Sequence, residues 1–126
     1  AAMRISHVVR GEDHLSNTPK HILLFRALGY DEPRFGHLPL ILNADRTKMS
    51  KRKSQTAIGD YIAEGFIREA LVNYLALLGW STGTEEEVLA LEEIVERFDV
   101  AHVQKAGAVF DRERLLWLNG QWIRRL

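Results

Sequence analysis

The stretch HVVRGEDHLSNTPKHILL, residues 7–24, decides how the first half of this 126-residue chain folds. A β-branched run from Arg4 to Val9 favours a strand, and the polar residues after it end the apolar pattern. Thr18 and Pro19 are typical of a helix start, with the Thr18 hydroxyl as the cap and Pro19 in the first turn. Apolar residues at helical spacing then predict a helix that ends at Gly29.

A second short apolar run, LPLIL from Leu38 to Leu42, predicts a buried strand, and Pro39 suits the start of a strand better than its middle. Strand, helix and strand at this spacing predict one βαβ crossover with a parallel pair of strands. A two-stranded parallel sheet leaves edges and a face uncovered. We therefore expect either that the downstream helices cover it or that neighbouring strands are missing from this chain.

Downstream of residue 53 the apolar spacing becomes that of helices. Asp111 is expected to cap the last of them, and Asn119-Gly120 is expected to interrupt it. The whole pattern predicts a mixed α/β chain, mainly α-helical, in which a βαβ piece precedes a helical bundle. The predicted helices cover residues 58–62, 70–79, 94–98 and 111–126.

The charge balance is a cancellation. The chain has 17 basic and 17 acidic residues, but residues 1–60 carry ten basic against six acidic ones. Half of those ten lie between Arg46 and Lys53, with no acid among them. Zero net charge therefore does not exclude nucleic acid as a partner. The absence of cysteine excludes a disulfide, a cysteine nucleophile and a thiolate metal site.

Two segments could carry chemistry. Arg10 to His14, RGEDH, follows the first predicted strand, and ligands of parallel sheets bind beyond the carboxyl ends of strands. An arginine there can hold a carboxylate through two hydrogen bonds. The alternative is a polar loop with internal ion pairs. His7, His14 and His21 recur every seven residues, but Thr18-Pro19 makes one continuous helix improbable, and no metal site is expected.

The second segment is Lys48-Met49-Ser50-Lys51-Arg52, on the loop after the second predicted strand. Two lysines three residues apart can close over a polyphosphate and act as point charges where negative charge develops at phosphorus. Ser50 can add a hydroxyl donor. The alternative is a solvated basic turn. Glycine-rich phosphate loops and the Gly-x-Ser-x-Gly elbow of serine hydrolases are absent from the sequence.

The order of these segments is similar to that of a known family. KMSKR, residues 48–52, resembles the second signature of class I aminoacyl-tRNA synthetases. Around it, HVVRGEDHLSNTPKHILL, PRFGHLPLILN and KMSKRKS resemble the glutamyl-tRNA synthetase family, and EGFIREALVNYLALLGW and FDRERLLWLNGQWI extend the resemblance through the helical half. The resemblance spans residues 7–126.

The resemblance implies a ligase that joins L-glutamate to its tRNA through an adenylate made from ATP, with Mg²⁺ accompanying the ATP. It implies that Arg10 contacts glutamate and that Lys48 and Lys51 are catalytic, with Lys51 the stronger candidate for stabilising the triphosphate. The resemblance also implies that Ile41 ends the strand whose backbone meets the adenine. The ATP-binding set that it implies comprises Asp13, His14, Ile41, Lys48, Met49, Ser50, Lys51 and Arg52.

The resemblance also implies a division of the chain. Residues 1–55 correspond to the second half of a Rossmann-like catalytic fold, including the KMSKR loop, and residues 56–126 to a helical stem-contact region. The family's first signature, His-Ile-Gly-His, does not occur in this sequence. We therefore expect a fragment that is inactive alone.

For the parent enzyme we expect a cytoplasmic monomer without a membrane partner. The longest apolar runs fall far short of the ~20 residues of a membrane helix, and no signal peptide is recognisable. The alternatives are a non-catalytic RNA-binding or protein-interaction module and a paralogue that glutamylates a modified tRNA base. The glutamine-specific relative is disfavoured because RGEDHLSNTP is of the glutamate type.

Overall fold

The computed structural model describes residues 2–50 and 57–126, which form two compact units, residues 1–40 and 41–126. The first unit holds strand β1 (His7–Gly11), a 3-10 turn (Glu12–Asn17), helix α1 (Thr18–Ala27) and strand β2 (Arg34–Leu38). The second unit holds β3 (Ile41–Leu42), α2 (Ile58–Ala63), α3 (Arg68–Gly79), α4 (Leu91–Arg97), a 3-10 turn (Val100–His102), β4 (Ala108–Val109) and α5 (Arg112–Ile123). The division after residue 55 that the family resemblance implies stays a prediction.

The parallel pair of the predicted βαβ crossover is confirmed, because β1 and β2 run parallel on either side of α1 in the chain. The prediction of a strand over residues 38–42 is wrong in its bounds. The partner of β1 is Arg34–Leu38, and the next residue, Pro39, has no N–H with which to continue a ladder. The start of β1 also shifts, since Arg4 has φ of 52°, which no strand residue adopts.

Helix α1 ends as predicted. Gly29 has φ of +70°, its N–H donates to the Arg26 carbonyl at 3.1 Å, and the Tyr30 N–H donates to the Phe25 carbonyl at 3.0 Å. This pair of hydrogen bonds is a Schellman motif. The prediction for Thr18 is wrong, because Thr18 is already helical and its hydroxyl does not cap the helix.

The core of the second unit lies mainly between α3 and α5. Tyr74 packs edge-on against Phe110, with ring centroids 5.2 Å apart. A second cluster collects around Trp80. The buried residues of the two clusters are Tyr61, Phe66, Leu71, Tyr74, Leu115 and Leu118 in the first, and Trp80, Leu89 and Ile94 in the second.

Helix α5 begins at the predicted cap, because Asp111 Oδ1 accepts from the Arg114 N–H at 3.1 Å. The predicted interruption at Asn119-Gly120 is wrong, and the helix is continuous to Ile123. Asn119 stays in the helix because Oδ1 accepts from the Ile67 N–H at 2.9 Å and Nδ2 donates to the Gly65 carbonyl at 3.3 Å.

The second unit also contains a short parallel pair, β3 and β4, of which β4 was not predicted. The two strands pair Ile41 with Ala108 and Leu42 with Val109, and the Phe110 N–H continues the ladder to the Leu42 carbonyl at 2.8 Å. We call residues 48–52 the basic loop. The strand that precedes it, β3, therefore pairs with the segment that leads into α5. In the part of the chain that the structure describes, no helix has the length and apolar character needed to span a membrane.

Candidate functional site

Arg10 lies near the carboxyl end of β1, where the register sets it beside His37 of β2. The guanidinium contacts three side chains and one carbonyl. Nε donates to His37 Nε2 at 3.4 Å, and Nη1 lies 3.1 Å from His21 Nδ1. Nη2 donates to Thr18 Oγ1 at 3.0 Å and to the His14 carbonyl at 3.5 Å. The group also lies over the Phe35 ring, 5.3 Å from its centroid.

The sequence explains why these residues meet. A parallel pair places the ends of β1 and β2 at one edge of the sheet, and α1 begins beside the same edge after one 3-10 turn. Arg10 is half-buried there, so its guanidinium is fixed by its neighbours and still partly in contact with water. A fixed guanidinium at such an edge is suited to a carboxylate ligand.

The predicted site residues of the 3-10 turn make different contacts. His14 contributes its backbone carbonyl to Arg10, and the Asp13 carboxylate lies so close to Gly11 that a Cβ there would come within 2.5 Å of Oδ1. Glu12 Oε1 accepts from the Leu40 N–H at 3.3 Å. A glycine at position 11 therefore lets the Asp13 carboxylate fold back over the end of β1.

The basic loop starts from an ordered turn over Asn43–Thr47. The Asn43 N–H donates to the Thr47 carbonyl at 2.8 Å, and Asp45 Oδ1 accepts from both the N–H and the hydroxyl of Thr47, at 2.9 and 2.6 Å. Arg46 takes φ of 64°, in the left-handed region that lets the chain reverse. This turn returns the chain alongside β3.

Lys48 and Met49 consequently lie next to β3. Lys48 bridges to Leu42 in antiparallel fashion, and the Met49 N–H donates to the Ile41 carbonyl at 3.0 Å. Lys48 is exposed, whereas Met49 and Ser50 are half-buried. The Ile41 carbonyl is therefore engaged within the loop. Lys51 and Arg52 lie outside the described residues.

The structure brings the predicted residues together in two groups. Arg10, Asp13 and His14 lie in the first unit, and Ile41, Lys48, Met49 and Ser50 lie in the second. Sequence reasoning missed Thr18, His21 and His37 as neighbours of Arg10. In the observed register, Arg10 pairs with His37. The predicted strand began at Leu38, which left His37 outside the sheet. Within residues 2–50 and 57–126, no group of three histidine or acidic side chains is arranged to hold a metal ion.

Comparison with known proteins assigns the family. The family model of the catalytic domain of class I tRNA synthetases (E and Q) matches residues 1–117. The chain belongs to this family. Because the match extends to residue 117, the catalytic-domain family covers most of the helical half as well as the βαβ unit.

Two relatives that resemble the chain share one name. The chain is 55% identical to the glutamate–tRNA ligase of Carboxydothermus hydrogenoformans over 122 residues, which are 97% of this chain and 25% of the relative. It is 56% identical to the same-named protein of Desulforamulus reducens over 98% of this chain and 26% of the relative. The chain thus spans about a quarter of the length of these curated relatives.

Solved structures agree in fold. The glutamate–tRNA synthetase of Elizabethkingia anophelis superposes with a TM-score of 0.87 at 36% identity, covering 98% of this chain and 29% of that one. A glutamate tRNA ligase from Elizabethkingia meningosepticum, solved in complex with its amino acid, gives a TM-score of 0.86 at 37% identity, with 98% and 28% covered. The fold of this chain is therefore that of a segment of these enzymes.

Proposed function

We propose that this chain is part of the catalytic domain of a glutamate–tRNA ligase, which activates L-glutamate with ATP and transfers it to the tRNA for glutamate. The observation that carries the proposal is the match of residues 1–117 to the class I (E and Q) catalytic domain, together with relatives named glutamate–tRNA ligase at 55 and 56% identity. The finer assignment is that residues 1–55 form the second half of the nucleotide-binding fold and residues 56–126 the stem-contact region.

Arg10 is proposed to bind the glutamate substrate. Its support is the position of the guanidinium at the carboxyl end of β1, fixed by groups from β2, α1 and the 3-10 turn. A guanidinium held in this way loses little freedom when a carboxylate binds. A lysine in its place would offer a point charge without the planar fork.

The basic loop is proposed to bind ATP. Lys48 and Lys51 would stabilise the negative charge that develops on the phosphates while a glutamate oxygen attacks the α-phosphorus and pyrophosphate leaves. Mg²⁺, which accompanies ATP, would share this charge. Support comes from the turn over Asn43–Thr47, which directs the chain back along β3 immediately before Lys48. The remaining proposed ATP contacts are Asp13, His14, Ile41, Met49, Ser50 and Arg52.

The test is a chimera in which this chain replaces the matching quarter of the Carboxydothermus hydrogenoformans ligase. We expect the purified chimera to attach labelled glutamate to tRNA and to discriminate against glutamine. Replacement of Lys51 by alanine should depress adenylate formation at least tenfold, measured by pyrophosphate exchange with tRNA present, while tRNA affinity changes less than threefold. Lys105→Ala, in the acidic half of the chain, is the matched control.

Two results would contradict the proposal. A folded chimera that binds tRNA but attaches no amino acid would favour an RNA-binding module, and attachment of glutamate to an internal base instead of the terminal ribose would favour the modifying paralogue. Equal losses of adenylate formation and tRNA binding in Lys51→Ala would mark Lys51 as a contact to the RNA backbone. We further propose that the parent enzyme is a cytoplasmic monomer.

A further inference from the structure

The neighbours of Arg10 come from every other element of the first unit. His37 belongs to β2, Thr18 and His21 to α1, and the His14 carbonyl to the 3-10 turn. Thr18 Oγ1 also lies 3.0 Å from His37 Nε2 and 3.3 Å from the His14 carbonyl. The guanidinium and these groups therefore form one connected hydrogen-bond network within residues 10–37.

The chemistry of arginine fixes the protons of this network. A guanidinium only donates hydrogen bonds, so a ring nitrogen that faces it must offer a lone pair. His37 faces Arg10 with Nε2, and His21 faces it with Nδ1. Each ring must then carry its single proton on the other nitrogen, which is Nδ1 for His37 and Nε2 for His21. The Thr18 hydroxyl, 3.0 Å from His37 Nε2, donates its one proton to that nitrogen in this arrangement.

We propose that Thr18, His21 and His37 are positioning residues that hold Arg10 for the carboxylate of the glutamate substrate, with the two imidazoles neutral and in opposite tautomers. This inference rests on the proposed role of Arg10 as the glutamate contact. The three residues act through Arg10, because no step of the reaction requires them to touch the substrate.

The same network defines where a carboxylate binds. Nε is directed to His37, one N–H of Nη1 to His21 and one N–H of Nη2 to Thr18. The longest of the four contacts is that of Nη2 with the His14 carbonyl, at 3.5 Å, and it is the easiest to release. A carboxylate that accepts one N–H of Nη1 and one of Nη2 forms the two-bond arrangement of arginine with a carboxylate, while the contacts with His37, His21 and Thr18 stay in place.

The first test measures the tautomers in the full chain at pH 8. Long-range proton–nitrogen correlation spectra of ¹⁵N-histidine-labelled protein distinguish a ring with its proton on Nδ1 from one with its proton on Nε2. We expect His37 to show the Nδ1–H pattern and His21 the Nε2–H pattern. The same tautomer in both rings, or an average of the two tautomers in each, would overturn the inference.

The second test uses amide replacements that keep or misplace the acceptor. The side-chain oxygen of asparagine is attached where Nδ1 is in histidine, and that of glutamine lies where Nε2 is. In the chimera, His37→Gln and His21→Asn should therefore raise the KM for glutamate less than threefold. The exchanged pair, His37→Asn and His21→Gln, should raise it about tenfold or more with kcat at saturating glutamate unchanged, because a hydrogen bond to a charged group is lost.

The outcomes separate this inference from the proposed function. If all four replacements raise KM alike, the positions of the acceptors are irrelevant and the inference is overturned. If Arg10→Ala leaves the KM for glutamate unchanged while the two tautomers are as expected, the network is correct and the proposed role of Arg10 is wrong. Amide spectra of each variant in the full chain show whether β1 and β2 remain paired.

Discussion

Asn73 is a single side chain that connects three segments of the second unit. It is completely buried, and its Oδ1 accepts from the Leu89 N–H and from Trp122 Nε1, both at 3.0 Å. Asn73→Ala should lower the free energy of unfolding by about 2–4 kcal/mol, because a buried N–H and the half-buried Trp122 N–H both lose their acceptor. Urea unfolding followed by tryptophan fluorescence measures this. Leu75→Ala, on an exposed side of the same helix, should cost less than about 1 kcal/mol; equal losses would contradict the argument.

Two tyrosines of the same core should make stability depend on alkaline pH. Burial raises the pKa of Tyr61 and Tyr74 above the usual 10.0. As the pH rises past 10, the unfolded chain loses these phenol protons first and then binds fewer protons than the folded chain. The free energy of unfolding should therefore fall above pH ~10 and be fully retained below it. Tyr61→Phe should flatten this fall in unfolding curves recorded between pH 8 and 11, and an unchanged slope would contradict it. Tyr30→Phe, at a half-exposed ring, is the control.

At the scale of residues, the sequence predicted where Arg10 lies but not which side chains contact it. Arg10 stands in a polar break after a β-branched run, and that position alone indicated a ligand edge. A threonine before a proline usually caps a helix, but the Thr18 hydroxyl instead contacts Arg10 and the His14 carbonyl. Asn73 lies within an apolar helical pattern, and its partners are 16 and 49 residues away. No local pattern encodes such partners.

Two glycines test whether backbone conformation or available space determines the effect of a glycine-to-alanine substitution on stability. At Gly29 nothing lies within 4 Å of an added Cβ, but φ is +70°, so Gly29→Ala should cost about 1 kcal/mol through backbone strain alone. Gly59 lies inside α2 with equally open space and no positive φ, so Gly59→Ala should stabilise by about 0.5 kcal/mol. Urea unfolding of both variants measures the difference. Changes of the same sign would contradict a conformational origin.

At the scale of elements, the bounds of the helices were more predictable than those of the strands. The apolar spacing and stop signals of α3 lie within one stretch of sequence, and Gly79 ends it as expected. Strand β4 has only two residues, Ala108 and Val109, which is too short for an alternating pattern. Its position depends on pairing with β3, in which Ile41 pairs with Ala108, 67 residues later in the chain. Pairing over such a separation is set by tertiary packing.

At the scale of the whole molecule, the charge pattern and the family resemblance were needed together. Zero net charge alone would argue against a nucleic-acid partner, but five of the basic residues lie between Arg46 and Lys53. A basic run alone is equally compatible with a solvated turn. The resemblance favours a polyphosphate ligand because several segments occur in the family's order. The match over residues 1–117 confirms the family, and the role of the basic run stays a prediction. Packing into units of residues 1–40 and 41–126 was not predicted, since the division falls within the apolar run of residues 38–42.

The isolated chain is expected to bind ATP weakly and to transfer no glutamate to tRNA. It spans about a quarter of its relatives, and the contacts proposed for ATP come from a short polar turn and one loop, which would leave most of a nucleotide in water. Isothermal titration with Mg-ATP should give a dissociation constant above about 1 mM, and charging assays should show no labelled glutamate on tRNA, whereas the chimera charges it under the same conditions. Charging by the 126-residue chain alone would show that the catalytic residues of the reaction all lie within it. Lys51→Ala in that active chain should then abolish adenylate formation, because the proposed triphosphate contact would be lost.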